Sequence, residues 1–249
     1  MAADSPNAGL AATYDERAGT YRSFGNGSLL DVVLGVVPPG GSVLDIGCAS
    51  GGLLAALEGH AGRRVGLEIS DTAAAAARLV ADDVIVGDIA DPALSEGVES
   101  FDVVVLADVL EHTAESSDAL VQALRFCAPG GRVVISVPNV AHWQSRKGLL
   151  QGRWDYTESG LLDRGHLKFF TLSTILSEVR AAGLAVEQVE SVIPRLSNHL
   201  PVLGRLPGRV SAAGERAWKR FGVRRPELMA YQLMVVARKP ASTTDTGSR

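Results

Sequence analysis

Residues 43–51, Val-Leu-Asp-Ile-Gly-Cys-Ala-Ser-Gly, decide the fold class of this 249-residue chain. An apolar run ends at Asp45, a loop containing Gly47 and Gly51 follows, and an apolar segment then resumes. A strand, a glycine loop and a helix in this order let backbone approach a nucleotide-like ligand closely. A dinucleotide site would need a second glycine where Ala49 stands, and the Asp45 carboxylate would repel a pyrophosphate. The stretch therefore favours a ligand that carries a positive charge or hydroxyl groups.

Acidic residues stand at the ends of later apolar runs. One run ends at Glu68, roughly 20 residues after the glycine loop, where an acid can bind both hydroxyls of a ribose. Another ends at Asp88, and the run 101–106 leads into Glu111 and His112. A single acid of this kind is often only a helix cap or a turn former. Its repetition at successive strand ends indicates one edge of a sheet that binds a ligand.

In this order the four stretches resemble the motifs of class I S-adenosylmethionine (SAM) methyltransferases, whose first motif is usually Asp-x-Gly-x-Gly-x-Gly. The resemblance implies an α/β fold: a Rossmann-like seven-stranded sheet, mostly parallel with the last strand antiparallel, and helices on both faces. It also implies SAM as the cofactor, with Glu68 at the ribose and Asp88 at the adenine amino group. The residues expected to bind the cofactor are Asp45, Gly47, Cys48, Gly51, Glu68, Ile69, Asp88, Ile89, Ala107 and Tyr21.

The remaining patterns predict one domain over residues 28–239, with a partly disordered lead-in at 1–27 and a disordered tail at 240–249. Two insertions, 138–170 and 194–228, interrupt the alternation of strands and helices. The predicted strands are 42–46, 64–68, 83–87, 101–106, 132–137, 184–192 and 230–238. The predicted helices cover 29–37, 50–58, a segment from Asp71, a short segment after Pro92, 115–127 and 171–182.

Composition excludes several classes of protein. A net charge of −4 and a pI near 5.8 disfavour a surface that binds nucleic acid. Two cysteines, Cys48 and Cys127, provide no disulfide framework, which favours a reducing, cytoplasmic location. No apolar stretch reaches the length of a transmembrane helix, and no basic and apolar signal segment opens the chain.

The first insertion contains Pro138-Asn139-Val140-Ala141-His142-Trp143 and, later, His166-Leu167-Lys168-Phe169-Phe170-Thr171. These two stretches resemble the MetW-like and ubiquinone-methyltransferase-like branch of the family. Aromatic residues are concentrated here, as is typical of a substrate wall or lid, although a small core beneath a loop is the simpler alternative. The residues expected to bind the substrate are Trp143, Tyr156 and Arg164.

Three histidines follow strand ends and are therefore expected at the edge where ligands bind. They are His166, His142 and His112, in the order in which we favour them as a general base. Histidine suits this role because it titrates near neutral pH. For each of them a purely structural hydrogen bond is the alternative. No cluster of His, Asp and Glu has metal-ligand spacing, so we expect no metal.

These observations favour methyl transfer from SAM to a small-molecule acceptor, at a hydroxyl oxygen, by in-line attack with assistance from a histidine base. The alternatives are a MetW-like regulatory or partner protein, or an enzyme that methylates nitrogen or carbon. A nucleotide-dependent oxidoreductase is disfavoured by Ala49 and Asp45. The basic segment 194–228 is interpreted as a solvated helical face, with a funnel for anionic substrates or a membrane contact as alternatives. A homodimer is a further expectation.

Overall fold

A computed structural model describes residues 29–95, 97, 99–199 and 208–241. Seven strands form one sheet: β1 Ser42–Ile46, β2 Arg63–Glu68, β3 Asp83–Val86, β4 Phe101–Ala107, β5 Cys127–Pro138, β6 Ala185–Val192 and β7 Gln232–Arg238. Their order across the sheet is β3-β2-β1-β4-β5-β7-β6. Strands β1 to β5 pair in parallel, whereas β7 runs antiparallel to both β5 and β6. The predicted fold class is confirmed.

Helices connect these strands and cover both faces of the sheet. They are α1 Leu29–Val36, α2 Gly52–Ala56, α3 Asp71–Ala77, α4 Ser116–Phe126, α5 Trp143–Leu150, α6 Leu172–Ala181, α7 Leu196–His199, α8 Gly208–Arg224 and α9 Pro226–Met229. Two turns of 3-10 helix, Pro92–Ser95 and Leu110–His112, lie before and after β4.

The core is divided into two layers by the sheet. Within β1, Leu44 and Ile46 pack into one layer with residues of α4 and α6, while Val43 packs into the other layer with α1. Successive side chains of a strand point to opposite faces, so a strand buried on both faces reads as a continuous apolar run. The runs of Val, Leu and Ile in the sequence have this cause.

Topology creates a crevice beside β1. From β1 the chain adds β2 and β3 on one side and then returns to place β4 and β5 on the other. The connections that leave the carboxyl ends of β1 and β4 therefore diverge, and ligands of open α/β sheets bind at such a point.

Several bounds differ from the sequence predictions. Strand β5 begins at Cys127, whereas the predicted strand began at residue 132. The first insertion contains α5, which was not predicted because its sequence, Trp-Gln-Ser-Arg-Lys-Gly-Leu-Leu, carries no apolar stripe. The lead-in 1–27 and most of the predicted tail lie outside the described residues.

The second insertion contains α7 and α8 among its described residues. Trp218 on α8 donates a hydrogen bond of 2.9 Å to the Pro194 carbonyl, and Glu215 accepts from the backbone N–H groups of Leu196 and Ser197. The helix is therefore anchored to the start of its own insertion. Among the residues that the structure describes, no helix combines the length and apolar composition needed to cross a bilayer.

Candidate active site

The loop after β1 is shaped by two glycines with positive φ. Gly47 has φ +72° and Gly51 has φ +82°, and the Gly47 N–H donates a hydrogen bond of 2.7 Å to the Leu67 carbonyl on β2. A Cβ at Gly47 would lie 2.7 Å from Cγ2 of Val109, and one at Gly51 would lie 2.7 Å from Cγ2 of Val80. Both positions therefore require glycine for conformation and for space.

Ala49 lies between these glycines with φ +47°. This left-handed conformation costs an L-residue with a Cβ about 1–2 kcal/mol relative to the ordinary regions. The alanine therefore departs from the family pattern while keeping the backbone geometry that a glycine would adopt. The loop has the conformation of a glycine-rich loop with one of its glycines replaced.

Glu68, at the end of β2, fastens this loop. One carboxylate oxygen accepts a hydrogen bond of 2.8 Å from the Ala49 N–H, and the other accepts one of 2.9 Å from the Ser70 N–H. Ser70 in turn caps α3 by accepting from the Ala73 N–H at 3.1 Å. Each oxygen of a carboxylate has a second lone pair, so Glu68 can hold the loop and still accept from ligand hydroxyls.

Asp45 is buried at the end of β1. Burial, and then the nearby charge of Glu68, raise the pKa of its carboxyl to about 8. The acid is therefore mainly neutral at pH 7, and a cationic ligand beside it would favour its ionised form. A buried acid of this kind fits the positively charged ligand that the sequence predicts.

The other predicted cofactor residues occupy different positions. Asp88 follows β3, and one of its oxygens accepts a hydrogen bond of 2.9 Å from the Ala90 N–H. Ile69 and Ala107 are half-buried at the same edge of the sheet, whereas the Ile89 side chain is in the core. The Cys48 side chain packs in a small core cluster above Gly66, so at Cys48 only the backbone faces the loop. Tyr21 lies outside the described residues.

A second group of polar side chains lies after β4, at the carboxyl edge. The 3-10 turn carries Glu111 and His112, and the Glu111 carbonyl accepts from the N–H groups of Leu167 and Lys168 at 2.7 and 3.0 Å. These bonds bring His166 beside His112, with the two ring centres 4.9 Å apart. His112 Nδ1 lies 3.0 Å from the Gly165 carbonyl, to which the protonated nitrogen donates.

A comparison with known proteins agrees with this geometry. Residues 21–189 match the family model of a methyltransferase domain. The chain belongs to this methyltransferase family. The cofactor of this family is S-adenosylmethionine, and the resemblance seen in the sequence is confirmed at this level, although the MetW-like branch is not specifically supported.

Similar proteins of known structure share the fold. A SAM-dependent methyltransferase from Archaeoglobus fulgidus superposes with a TM-score of 0.59 at 16% identity, covering 92% of this chain and 94% of that one. A chain from the complex between the Trm112 methyltransferase activator of Haloferax volcanii and a methyltransferase superposes with a TM-score of 0.57 at 20% identity. The superposition covers 94% of this chain and 95% of that one.

A curated relative, an uncharacterised 37.1 kDa protein in transposon TN4556 of Streptomyces fradiae, is 37% identical over 115 residues. The match covers 43% of this chain and 32% of that protein, so this chain spans about a third of the relative's length.

The insertion after β5 positions the remaining predicted site residues. His142 is fully buried, its Nδ1 accepts from the Gln144 N–H at 3.4 Å and caps α5, and its ring packs against Trp143 and Tyr231. Trp143 lines a cleft of about 480 Å³ together with other residues of the insertion and Tyr231. The structure therefore gives His142 a capping contact and places Trp143 beside open space.

The other two residues predicted to bind the substrate are more exposed than His142 and Trp143. Tyr156 is 48% exposed and packs against Phe169, with ring centres 6.5 Å apart. Arg164 is mainly exposed and forms a 2.9 Å ion pair with Glu158. An exposed ion pair leaves the Arg164 guanidinium engaged with a neighbour in its own loop.

Sequence spacing indicated no metal-ligand cluster, yet the fold brings one together. One possible ligand atom from each of Glu111, His112 and His166 lies within 4.8 Å of the others. Spacing along the chain could not show this, because long-range backbone contacts return the segment before α6 to the sheet edge: the bridge between Asn139 and Phe170 and the hydrogen bonds to the Glu111 carbonyl. Asp108, the positive-φ residue before this turn, was also missed as part of the site.

Proposed function

We propose that this protein transfers the methyl group of SAM to a hydroxyl oxygen of a small-molecule acceptor. The observation that carries the proposal is the half-buried pair His112 and His166 at the carboxyl edge of β4, beside the crevice next to β1. Acceptors must approach the cofactor from such an edge.

The chain's own residues suit the binding of this cofactor. Glu68 offers two acceptor oxygens at the end of β2, and Gly47 and Gly51 leave the backbone of the loop after β1 without side chains at two positions. The neutral, buried Asp45 can ionise beside a positive charge. Bound SAM supplies an electrophilic methyl group, so the protein needs chiefly to align the acceptor and to remove its proton.

Removal of the hydroxyl proton is assigned to the pair of histidines, with His166 as the first candidate and His112 as the second. Both rings are half-buried, so they can meet an acceptor while remaining held by the turn. His142 is a weaker candidate because its ring is fully buried and caps α5. Trp143 and the cleft beside it are assigned to the acceptor's body.

The test is turnover of SAM to S-adenosylhomocysteine with a panel of small hydroxyl, carboxyl and amino compounds. We expect a hydroxyl compound to be methylated and His166→Ala to lower turnover by about 10²–10⁴-fold while SAM affinity stays nearly unchanged. The rate should fall below pH of about 6.5, where histidine becomes protonated. Methylation of amines alone would mean that the acceptor atom is nitrogen and not oxygen. Parental turnover in the single and double variants of His166 and His112 would mean that neither histidine takes part in the reaction.

A second candidate function is that of a partner protein or a homodimer subunit. Phe221 and Val223 at the end of α8 are 49% and 62% exposed, although both are apolar. Exposed apolar side chains near the end of an amphipathic helix can take part in a contact with another protein. The turnover assay separates an enzyme from a partner protein, because a partner protein would bind SAM without methylating any acceptor. Light scattering of the purified protein shows whether it forms a homodimer.

A further inference from the structure

We infer that Glu111, His112 and His166 form a binding site for a divalent transition-metal cation, which acts on the acceptor hydroxyl. The inference rests on the proposed function and deepens it: the two histidines assist loss of the hydroxyl proton as ligands of a cation that acidifies the hydroxyl, in place of taking the proton themselves. The carboxylate and the two imidazoles come from both sides of the same small space, the turn after β4 and the segment before α6.

Glu111 lies in an environment that favours a bound cation. Its side chain is 1% exposed, and among the described residues neither carboxylate oxygen makes a well-formed hydrogen bond to a donor, while the carboxyl of Asp108 lies beside it. The charges that act on it are those of two other acids, Asp108 and Asp163, so no positive charge in the described part of the chain offsets its own. Buried carboxylates are normally paired or bound to a metal, so this site lacks a positive charge that a cation would supply.

The orientation of His112 also suits a residue that binds a metal cation. Its Nδ1 is engaged by the Gly165 carbonyl at 3.0 Å, which sets the other nitrogen, Nε2, as the ligand atom. Metal-binding histidines commonly hold their second nitrogen to a carbonyl or carboxylate in this way. The Gly165 N–H is held in turn by Asp163 at 2.6 Å, so the segment that carries His166 is also fixed.

Distance and donor chemistry agree with a cation. The three ligand atoms lie within 4.8 Å of one another. A cation bonded at about 2.0–2.2 Å to each ligand separates neighbouring ligands by roughly 3–3.5 Å, which side-chain rotation can reach. One carboxylate with two imidazoles suits Mn²⁺, Fe²⁺ or Zn²⁺ better than Mg²⁺, which prefers oxygen ligands.

The site is also open on one side. Glu111 forms its buried floor, whereas both histidines are half-buried. Three protein ligands leave coordination positions for an exogenous oxygen, and a bound cation lowers the pKa of that oxygen's proton. The hydroxyl would release its proton to solvent, and its oxygen would bond to the methyl carbon as the sulfur–methyl bond of SAM breaks and S-adenosylhomocysteine leaves.

Binding of Mn²⁺ to the full-length protein, freed of metal with a chelator and then dialysed, tests this directly. The spectrum of free Mn²⁺ in electron paramagnetic resonance reports how much cation is bound, and calorimetry gives the stoichiometry. We expect one site, with affinity lowered at least about tenfold by Glu111→Gln and by His166→Ala. His60→Ala is the matched control, because the His60 ring donates to the Val37 carbonyl at 3.0 Å and belongs to a different part of the protein.

Measurement of SAM binding to the same samples keeps the outcomes distinct. A protein that binds SAM but takes up no Mn²⁺ or Zn²⁺ up to millimolar concentration overturns the cation site and leaves the proposed function intact. Equal Mn²⁺ affinity in the parent, Glu111→Gln and His166→Ala also overturns it. If Glu111→Gln does not fold, the half-buried His166 still provides the decisive variant. Failure of the parent to bind SAM would instead contradict the proposed function.

Discussion

The carboxylate of Glu68 accepts a hydrogen bond of 2.8 Å from the backbone N–H of Ala49, so the acid that ends β2 holds the loop that follows β1. The same carboxylate accepts from Ser70 at the start of α3. One side chain thus joins three elements around the crevice. The acid that we expect at the ribose is therefore also part of the scaffold of the loop.

Replacement of Glu68 should weaken SAM binding. We expect Glu68→Gln to lose about 1.5–3 kcal/mol of binding free energy, the usual contribution of hydrogen bonds to a charged group. Calorimetry measures the change, and Glu58→Gln, at an exposed position after α2, is the control. SAM affinity within twofold of the parent in a folded Glu68→Gln protein would mean that Glu68 does not bind the ribose.

Gly47 and Gly40 form a matched pair of left-handed glycines. Both have φ near +75°, but a Cβ at Gly47 would lie 2.7 Å from Val109, whereas a Cβ at Gly40 would meet nothing within 4 Å. Gly40→Ala should cost about 1–2 kcal/mol of unfolding free energy and leave SAM binding unchanged. Gly47→Ala should lower the free energy of unfolding by more than Gly40→Ala does, because its Cβ would push the loop away from Val109. The displaced loop should no longer bind SAM. Equal effects of the two changes on binding would mean that the loop does not contact the cofactor.

Ala49 holds a left-handed conformation without being glycine. Ala49→Gly should therefore raise the free energy of unfolding by about 0.5–1 kcal/mol, after the greater chain entropy of glycine is subtracted. Chemical denaturation measures this value. Ala56→Gly, near the end of α2, should instead lower it. Destabilisation by both changes would contradict the strain assigned to Ala49.

The fold class and the strands could be predicted from the sequence because both depend on local patterns. Apolar runs that end in Asp45, Glu68 and Asp88 occur wherever buried parallel strands reach a ligand edge. The site for the acceptor depends on long-range packing instead. Helix α5 begins through a cap from a buried His142, and His166 reaches His112 only because backbone hydrogen bonds return the insertion to the turn after β4. Neither contact can be recognised from the spacing of residues along the chain.

The pKa of Asp45 predicts how stability depends on pH. In the unfolded chain this carboxyl ionises near its ordinary pKa of 3.8, whereas in the folded protein burial raises the pKa to about 8. The folded state therefore holds a proton that the unfolded state releases, and this contribution to stability is lost as pH rises from about 4 to 8. Asp45→Asn does not titrate, so its advantage in melting temperature over the parent should grow across this range.

The measurement for Asp45 is thermal unfolding of parent and Asp45→Asn at pH 5, 6.5 and 8, without SAM. Because a cationic ligand favours the ionised acid, SAM should also bind the parent more tightly as pH rises toward 8, and Asp45→Asn should lose that dependence. A difference in melting temperature that does not change with pH would mean that Asp45 is ionised in the folded protein.

The crevice beside β1 is expected to bind SAM and not a dinucleotide, and every proposed role of the surrounding residues depends on this. Titration of SAM into the full-length protein by calorimetry at pH 7.5 tests it most directly. We expect saturable binding to one site, competed by S-adenosylhomocysteine and absent from Gly47→Ala, with no heat from NAD. Binding of NAD in place of SAM, or normal SAM binding by Gly47→Ala, would contradict it.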